Sequence, residues 1–474
     1  MRKRSICMFL CLAVFCGCAA VGPNYKRPEL ASPQSFSTVK SATAAPLLEE
    51  AAWWKSFNDP VLDSLMDQAA RFNLDLARAR IRVISARAQV TKARAAGLPE
   101  VKAKGSVAGS DESDNIEAVD TSSQVIYQAG FDVSWELDVF GKLRRQKEAA
   151  SASAAYYSED YNAVMLTLLG DVAKNYMDLR SSQELLALAR RTIEARAKTV
   201  MLTRERARLG LVSYLDVAQA ESEKASAEAD VPSFEDAINQ SIHALCVLLG
   251  KEPAALKEGL MKTAPLPKAD AVIATGLPSE LLERRPDLRR AERLLAASSA
   301  EIGVAEAGRY PQFDLTLGLG LESSSIGDFL KASSHYWSVV PALAAPLFDG
   351  GKAKAEVEIK KAAYDENLIA YQAAYHDALK DVENALSAYY TEKQRNRILA
   401  KSVAASEKAS KLAAWRYRMG LTNYLDVLDA QRSLLSAQQS LSRSDAKILT
   451  SLVSLYKSLG GGWKSAGGAS RSAS

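Results

Sequence analysis

The chain has 474 residues, 48% of them hydrophobic, and a formal net charge of +4. Three of its 60 basic residues, Arg2, Lys3 and Arg4, open the chain, leaving 57 Lys and Arg against 56 Asp and Glu. So neutral a body lacks the concentrated basic face that nucleic acid requires, and no nucleic-acid partner is expected.

Residues 1–17 read as a secretory signal, a basic start followed by an apolar run from Ile6 to Gly17 that is too short to span a membrane. It closes on VFCGCAA, where Gly17 precedes Cys18 as in bacterial lipoprotein signals, although Phe15 and Cys16 replace the usual Leu and small residue. Acylation is therefore expected at Cys18, and that covalent lipid is the only prosthetic group expected. Four of the five cysteines (Cys7, Cys11, Cys16 and Cys18) belong to this region, so the exported chain carries no disulfide framework. The fifth, Cys246, lies among Leu245, Val247 and Leu248 and reads as a buried helical residue. Residues 18–52 form the lipidated N-terminus and a linker rich in Ala, Pro and Ser.

A helix is predicted over roughly 60–97, then strands at about 100–110 and 125–137. In VIYQAGFDVSWEL, Val125, Tyr127, Phe131, Val133 and Trp135 share one face, and Gln128, Asp132, Ser134 and Glu136 the other. Such alternation marks a strand with two unlike faces. From Lys142 to Leu209 there is one glycine, Gly170, and no proline, in a composition dominated by helix formers. About 68 residues at 1.5 Å each make a rod of roughly 100 Å. The stretch GLVSYLDVAQA (210–220) then turns the chain into a returning helix, with Pro232 expected to kink or break it. The whole hairpin covers about 141–250.

The second half repeats the first. GLTNYLDVLDA at 420–430 matches the earlier stretch at seven of eleven positions, 210 residues on. Asp171-Val172 meets Asp381-Val382 at the same shift; upstream, Asp75-Leu76 meets Asp287-Leu288 and Pro99 meets Pro311 at a shift of 212. Two tandem units follow, 53–260 and 261–460, with a disordered tail at 461–474. The second unit has a helix at about 286–308, strands at about 312–321 and 336–347, and a hairpin at 351–459. Gly210 and Gly420 read as C-cap glycines. Ser213 with Asp216, and Asn423 with Asp426, read as N-cap and N3 pairs.

Strands of this length and alternation suit a transmembrane barrel, apolar outward and polar inward, with Trp135, Tyr336 and Trp337 at the interface. Four strands cannot close a barrel, and an open sheet in lipid leaves unsatisfied edges, so several chains must share it. The predicted fold class is a mixed α and β membrane protein with long helical hairpins. A coiled-coil tether would explain the rods and Cys18, yet leaves the strands without a purpose. The three histidines, His243, His335 and His376, are scattered, and no GxSxG, phosphate loop or zinc spacing occurs, so neither enzyme nor metal site is expected.

The lipoprotein cysteine, VGPNYKRPE, the segment LLERRPDLRRAERLLAASSAEIGVAEAGRYPQFDL and the two YLDV tips together resemble the outer-membrane factor family of tripartite efflux pumps. The likeness is to TolC and OprM and is nearest to the lipid-anchored NodT-type branch. The resemblance implies a homotrimer in outer-membrane lipid, with a 12-stranded barrel continuing into a periplasmic α-barrel. It implies a periplasmic adaptor and an inner-membrane pump of RND type as partners, and passive, gated conduction of small molecules such as drugs. An exit duct for protein secretion shares this architecture.

The family closes its channel at the tip. Carried onto this chain, the acidic ring falls on Asp426 and Asp429, and the linking residues on Asp216 and Tyr417. A basic link residue of the family falls on Thr422, leaving Arg416 or Arg418 as the basic candidates. Asp429 aligns with uncharged Gln219 in the first repeat, so capping does not explain it. Gly210, Leu211, Tyr214, Gly420, Leu421 and Tyr424 form the expected adaptor-contact tips, because an exposed apolar residue at a turn invites a partner.

Overall fold

The computed structural model describes residues 20–37, 52–111, 124–268 and 278–461. Cys18, the signal, most of the first strand-linking loop and the tail lie outside the described residues. Helices α1 (Pro60–Phe72) and α2 (Leu74–Ala95) lead to strands β1 (Glu100–Ser110) and β2 (Gln124–Leu137), then to α3 (Lys142–Arg208) and α4 (Tyr214–Leu248). The second repeat supplies α5 (Pro286–Ala307), β3 (Gln312–Ser323), β4 (His335–Ala344), α6 (Lys352–Arg418) and α7 (Tyr424–Ser458). The outgoing helices have 67 residues each and the returning ones 35 each.

The chain divides into two compact units. One comprises Arg82–Ser158, Arg290–Ala373 and the N-terminal stretch to Leu30. The other comprises Ala31–Ile81, Glu159–Arg289 and the chain from Ala374 on.

The first unit holds an antiparallel sheet in the order β1-β2-β3-β4. Its register obeys the repeat: Glu100 pairs with Ser134, and Gln312, 212 residues on, pairs with Ala344, 210 residues on. Lys102, Asp132, Gly318 and Ser338 stand in one row across all four strands; the flanking rows carry Val133, Leu317 and Val339. The apolar face is uncovered, with Phe131 57%, Leu319 62% and Trp337 70% exposed. Among the described residues no helix is long and apolar enough to cross a membrane.

Two strand expectations are corrected. Tyr336 pairs with Gly320 and shares the polar face, opposite to Trp337, so it is no interfacial residue of the apolar side. Its ring covers Gly130, Gly318 and Gly320, where a Cβ at each would meet a Tyr336 atom within 3.6 Å. The second correction is that β4 ends at Ala344 rather than 347, just before Pro346, which has no N–H to donate to a ladder.

Within the same unit the VGPN segment has a physical role. The buried Arg145 guanidinium donates to the carbonyls of Val21 and Gly22 at 3.0 Å each and to Asn24 Oδ1 at 2.9 Å, and pairs with Glu148 at 2.7 Å. Val21 N–H donates to the Phe140 carbonyl at 3.0 Å, directly after β2. The segment that follows Cys18 is thereby fastened to the base of the sheet.

The second unit has the large core, built on Trp53, Phe57, Met66, Tyr176, Ile242 and Leu245. Cys246 is buried in it, as its neighbours predict. The single helix expected at 60–97 is instead two, separated by Asn73. Asn73 Oδ1 caps α2 by accepting from Leu76 N–H at 2.8 Å, and Nδ2 donates to the Leu248 carbonyl at 2.9 Å. Pro232 does not break α4, which continues through it with buried residues on either side, Ala227 and Ile238.

The RRPD segment is also accounted for. Arg285, nearly buried, binds Asp287 at 2.7 Å and Asp381 at 3.2 Å, and donates to the Ser458 carbonyl at 3.1 Å. One side chain thus ties the start of α5 to α6 and to the end of α7. Burial alone would raise the Asp287 carboxyl, but the hydrogen bond and charge of Arg285 outweigh it and hold it below the ordinary carboxylate range.

Candidate functional site

The tips lie in the second unit and begin with backbone geometry. Gly210 and Gly420 adopt φ of 72° and 75°. Leu211 N–H reaches the Arg206 carbonyl at 2.9 Å and Gly210 N–H the Ala207 carbonyl at 3.0 Å. Leu421 and Gly420 make the same two bonds to Arg416 and Tyr417, at 2.9 and 3.0 Å. Both helices therefore end in a Schellman motif, whose left-handed residue is glycine because a Cβ there is strained.

The return helices are capped by related but different bonds. Ser213 Oγ accepts from Leu215 N–H at 3.1 Å, whereas Asn423 Oδ1 accepts from Asp426 N–H at 3.1 Å. The Asp426 carboxylate accepts a hydrogen bond from the Thr422 hydroxyl, a local contact that Val212, the repeat mate of Thr422, cannot offer to Asp216.

Beneath the turns Val200, Ala220, Tyr417, Tyr424, Val427 and Leu428 form a small core. The repeat is broken here. Tyr214 is 74% exposed, while its mate Tyr424 is 2% exposed and packs on Tyr417, ring centroids 5.7 Å apart. Tyr424 is therefore a packing residue of the tip rather than a contact residue, because the second hairpin folds it inward. Burial, then the nearby Glu223 charge, pushes its hydroxyl up to about 12; burial also raises Tyr417. Both stay protonated donors. The Tyr417 hydroxyl is buried with no acceptor among the described residues.

The basic partner of Tyr417 comes from the other hairpin. Arg206 of α3 places its guanidinium 4.6 Å from the Tyr417 ring centroid and donates to the Tyr417 carbonyl at 2.9 Å. Arg418 stands outside this network; its Nε donates to the Ala414 carbonyl of its own helix, at 3.4 Å. A second link lies deeper. The Glu223 carboxylate binds Arg196 Nη2 at 2.9 Å and Arg432 Nε at 2.9 Å, joining α3, α4 and α7. Glu223, and to a smaller degree Asp429, raise the Arg432 pKa and keep it charged.

Sequence reasoning missed Arg206, Arg196, Glu223 and Arg432. The last three align with Ser406, Ser433 and Ser222, so a search for what the repeats share passes over them. Arg206 aligns with Arg416 and was open to detection. Asp426 and Asp429 are exposed one helical turn apart, and Asp216 is half-buried beside the two tyrosines. Leu211, Leu421 and Leu425 stand 63%, 61% and 53% exposed, an apolar crown around the turns.

A family model described as outer membrane efflux protein matches residues 65–251 and again 277–461, one match for each repeat. Nodulation protein T of Rhizobium leguminosarum bv. trifolii is 34% identical over 420 residues, covering 88% of this chain and 89% of that protein. The solved outer-membrane channel OprN superposes with a TM-score of 0.90 at 32% identity, over 94% of this chain and 100% of that one. The open state of the Neisseria gonorrhoeae channel MtrE gives a TM-score of 0.85 at 29% identity, over 94% and 99%. With both repeats matched and a relative 34% identical over 88% of its length, the chain belongs to the outer membrane efflux protein family.

Proposed function

We propose that three copies of this outer-membrane efflux protein form one exit duct for small molecules. The observation that carries this reading is the four-stranded sheet, with its apolar face uncovered and its edges β1 and β4 both unpaired in the single chain. Lipid accepts the apolar face, but unpaired backbone N–H and C=O groups are costly there, so the edges must meet those of other copies. Twelve strands from three chains give a closed barrel within the range of known outer-membrane barrels. The long hairpins continue it through the periplasm.

Conduction is passive and gated at the tips. Arg206, Tyr417, Glu223 and Arg432 hold the two hairpins of one chain together. Asp426 and Asp429 face solvent, where in a trimer they supply a ring of carboxylates around the axis. The apolar crown of Leu211, Tyr214 and Leu421 suits a periplasmic adaptor, itself bound to an inner-membrane pump of RND type. A lipid on Cys18 anchors the N-terminus, a reading supported by the Arg145 clamp on the residues that follow.

Native mass measurement in detergent combined with planar-bilayer recording tests the proposal. A trimer with discrete conductance is expected; a stable monomer that retains its strand content would overturn it. Palmitate labelling of the wild type, lost in Cys18→Ser, is expected for the anchor, and labelling that persists would reassign it.

A further inference from the structure

We infer that Arg432 sets the ion selectivity of the duct: bound to Glu223 it leaves the Asp429 carboxylate uncompensated, and released from Glu223 it neutralises Asp429 on its own helix. This role presupposes the trimeric duct gated at its tips. It adds the residue that couples separation of the hairpins to the charge around the axis.

The charges concerned enter where the two repeats differ. Glu223, Arg432 and Asp429 align with Ser433, Ser222 and Gln219, and Arg196 aligns with Ser406. Each of these charged residues thus stands opposite an uncharged repeat mate, and together they sum to zero. They are not shared out evenly. Glu223 holds two guanidinium groups, Arg196 Nη2 at 2.9 Å and Arg432 Nε at 2.9 Å. Asp429, exposed one turn before Arg432, forms no ion pair among the described residues.

Burial explains the unequal division. The Glu223 side chain is 11% exposed and that of Arg196 9%, so their attraction acts at low dielectric. Arg196 also donates to the Glu223 carbonyl. Both residues belong to the first hairpin, on α3 and α4, and stay together when the hairpins part. Arg432 belongs to the second hairpin, on α7, and its side chain is 59% exposed. Its departure leaves Glu223 still paired with Arg196. No buried charge is stranded, which is what makes breaking such pairs costly elsewhere.

Once released, Arg432 finds its new partner on α7 itself. A helical side chain at 432 meets positions 428, 429, 435 and 436, occupied by Leu428, Asp429, Leu435 and Ser436, and only Asp429 is acidic. The Asp429 charge, after that of Glu223, already raises the Arg432 pKa. With the hairpins joined, Asp429 therefore adds its full charge to that of Asp426. With the hairpins parted, Arg432 offsets Asp429 in each copy, and the ring keeps Asp426 alone. Cation preference is highest in the narrow state and falls as the tip widens.

Reversal potentials in a salt gradient, read as a double-mutant cycle on the intact protein in planar bilayers, test this role. In the wild type, Asp429→Asn should lower the cation-to-anion permeability ratio about twofold or more. In Glu223→Gln, where Arg432 is free to turn to Asp429, the same change should leave the ratio nearly unaltered. Adding Arg432→Gln to Glu223→Gln should restore the full Asp429→Asn effect. An effect of equal size in all three backgrounds would mean independent charges and would overturn the role of Arg432, as would no effect in the wild type. Should Glu223→Gln fail to assemble, Arg206→Ala serves as the background that parts the hairpins, with the same pattern expected. A protein with neither trimer nor discrete conductance would instead remove the duct reading itself.

Discussion

Arg206 and Tyr417 lie on different hairpins of one chain, and the guanidinium of the first covers the ring of the second at 4.6 Å while bonding its carbonyl at 2.9 Å. The contact sits immediately before both turns, where the hairpins would have to separate for the tip to widen. A cation over a ring contributes about 1 kcal/mol and a charged hydrogen bond roughly 1.5–3 kcal/mol. Arg206→Ala should therefore loosen the tip. Single-channel recording should show a conductance raised several-fold, with a trimer of normal stability; an unchanged conductance would reduce the contact to simple packing.

Asp429 has no capping role and its charge is exposed. In a trimer, Asp426 and Asp429 together bring six carboxylates near one axis, and a ring of acids favours cations. Asp429→Asn should shift the reversal potential in a salt gradient toward lower cation selectivity and weaken block by polyvalent cations. Identical reversal potentials for wild type and variant would remove Asp429 from the pore.

At Gly420 a substituent has open space, with nothing within 4 Å of where a Cβ would stand, so only the φ of 75° resists substitution. Asn tolerates that conformation and a β-branched residue does not. Gly420→Asn should preserve substrate export, whereas Gly420→Val should cut it while trimer and insertion survive. Equal export by both variants would mean that the turn geometry is irrelevant to docking.

Asp287 yields a pH dependence. Its folded pKa is depressed, so it stabilises the fold above the ordinary carboxylate pKa of about 3.9 and loses that contribution as pH falls below it. Asp287→Asn removes one carboxylate from the nearly buried Arg285 and leaves Asp381. Because the Asp287 side chain is 36% exposed, the loss is discounted to about 1–2 kcal/mol at neutral pH. Thermal unfolding of the purified protein should show the variant less stable at pH 7, with the gap narrowing toward pH 3. A gap that is constant with pH would point to lost packing instead of lost charge.

The elements themselves were legible in the sequence. Two breaker-free runs, alternating strands and glycine-ended YLDV turns follow from local rules of propensity, period and left-handed backbone, which act within a few residues. The Asn73 cap is equally local, but it stands within an otherwise continuous helical pattern. What only the tertiary structure decided concerns residues whose partners lie far along the chain. Tyr214 and Tyr424 occupy the same place in a repeated motif, yet one is exposed and the other buried, because their neighbours differ across the hairpins. Tyr336 and Trp337 are adjacent, and pairing with β3 decides which of them shares the polar face. Arg145 finds its acceptors more than 120 residues away, at Val21 and Gly22. Local sequence sets the periodicity of an element; which side chains meet is set by the elements packed beside it.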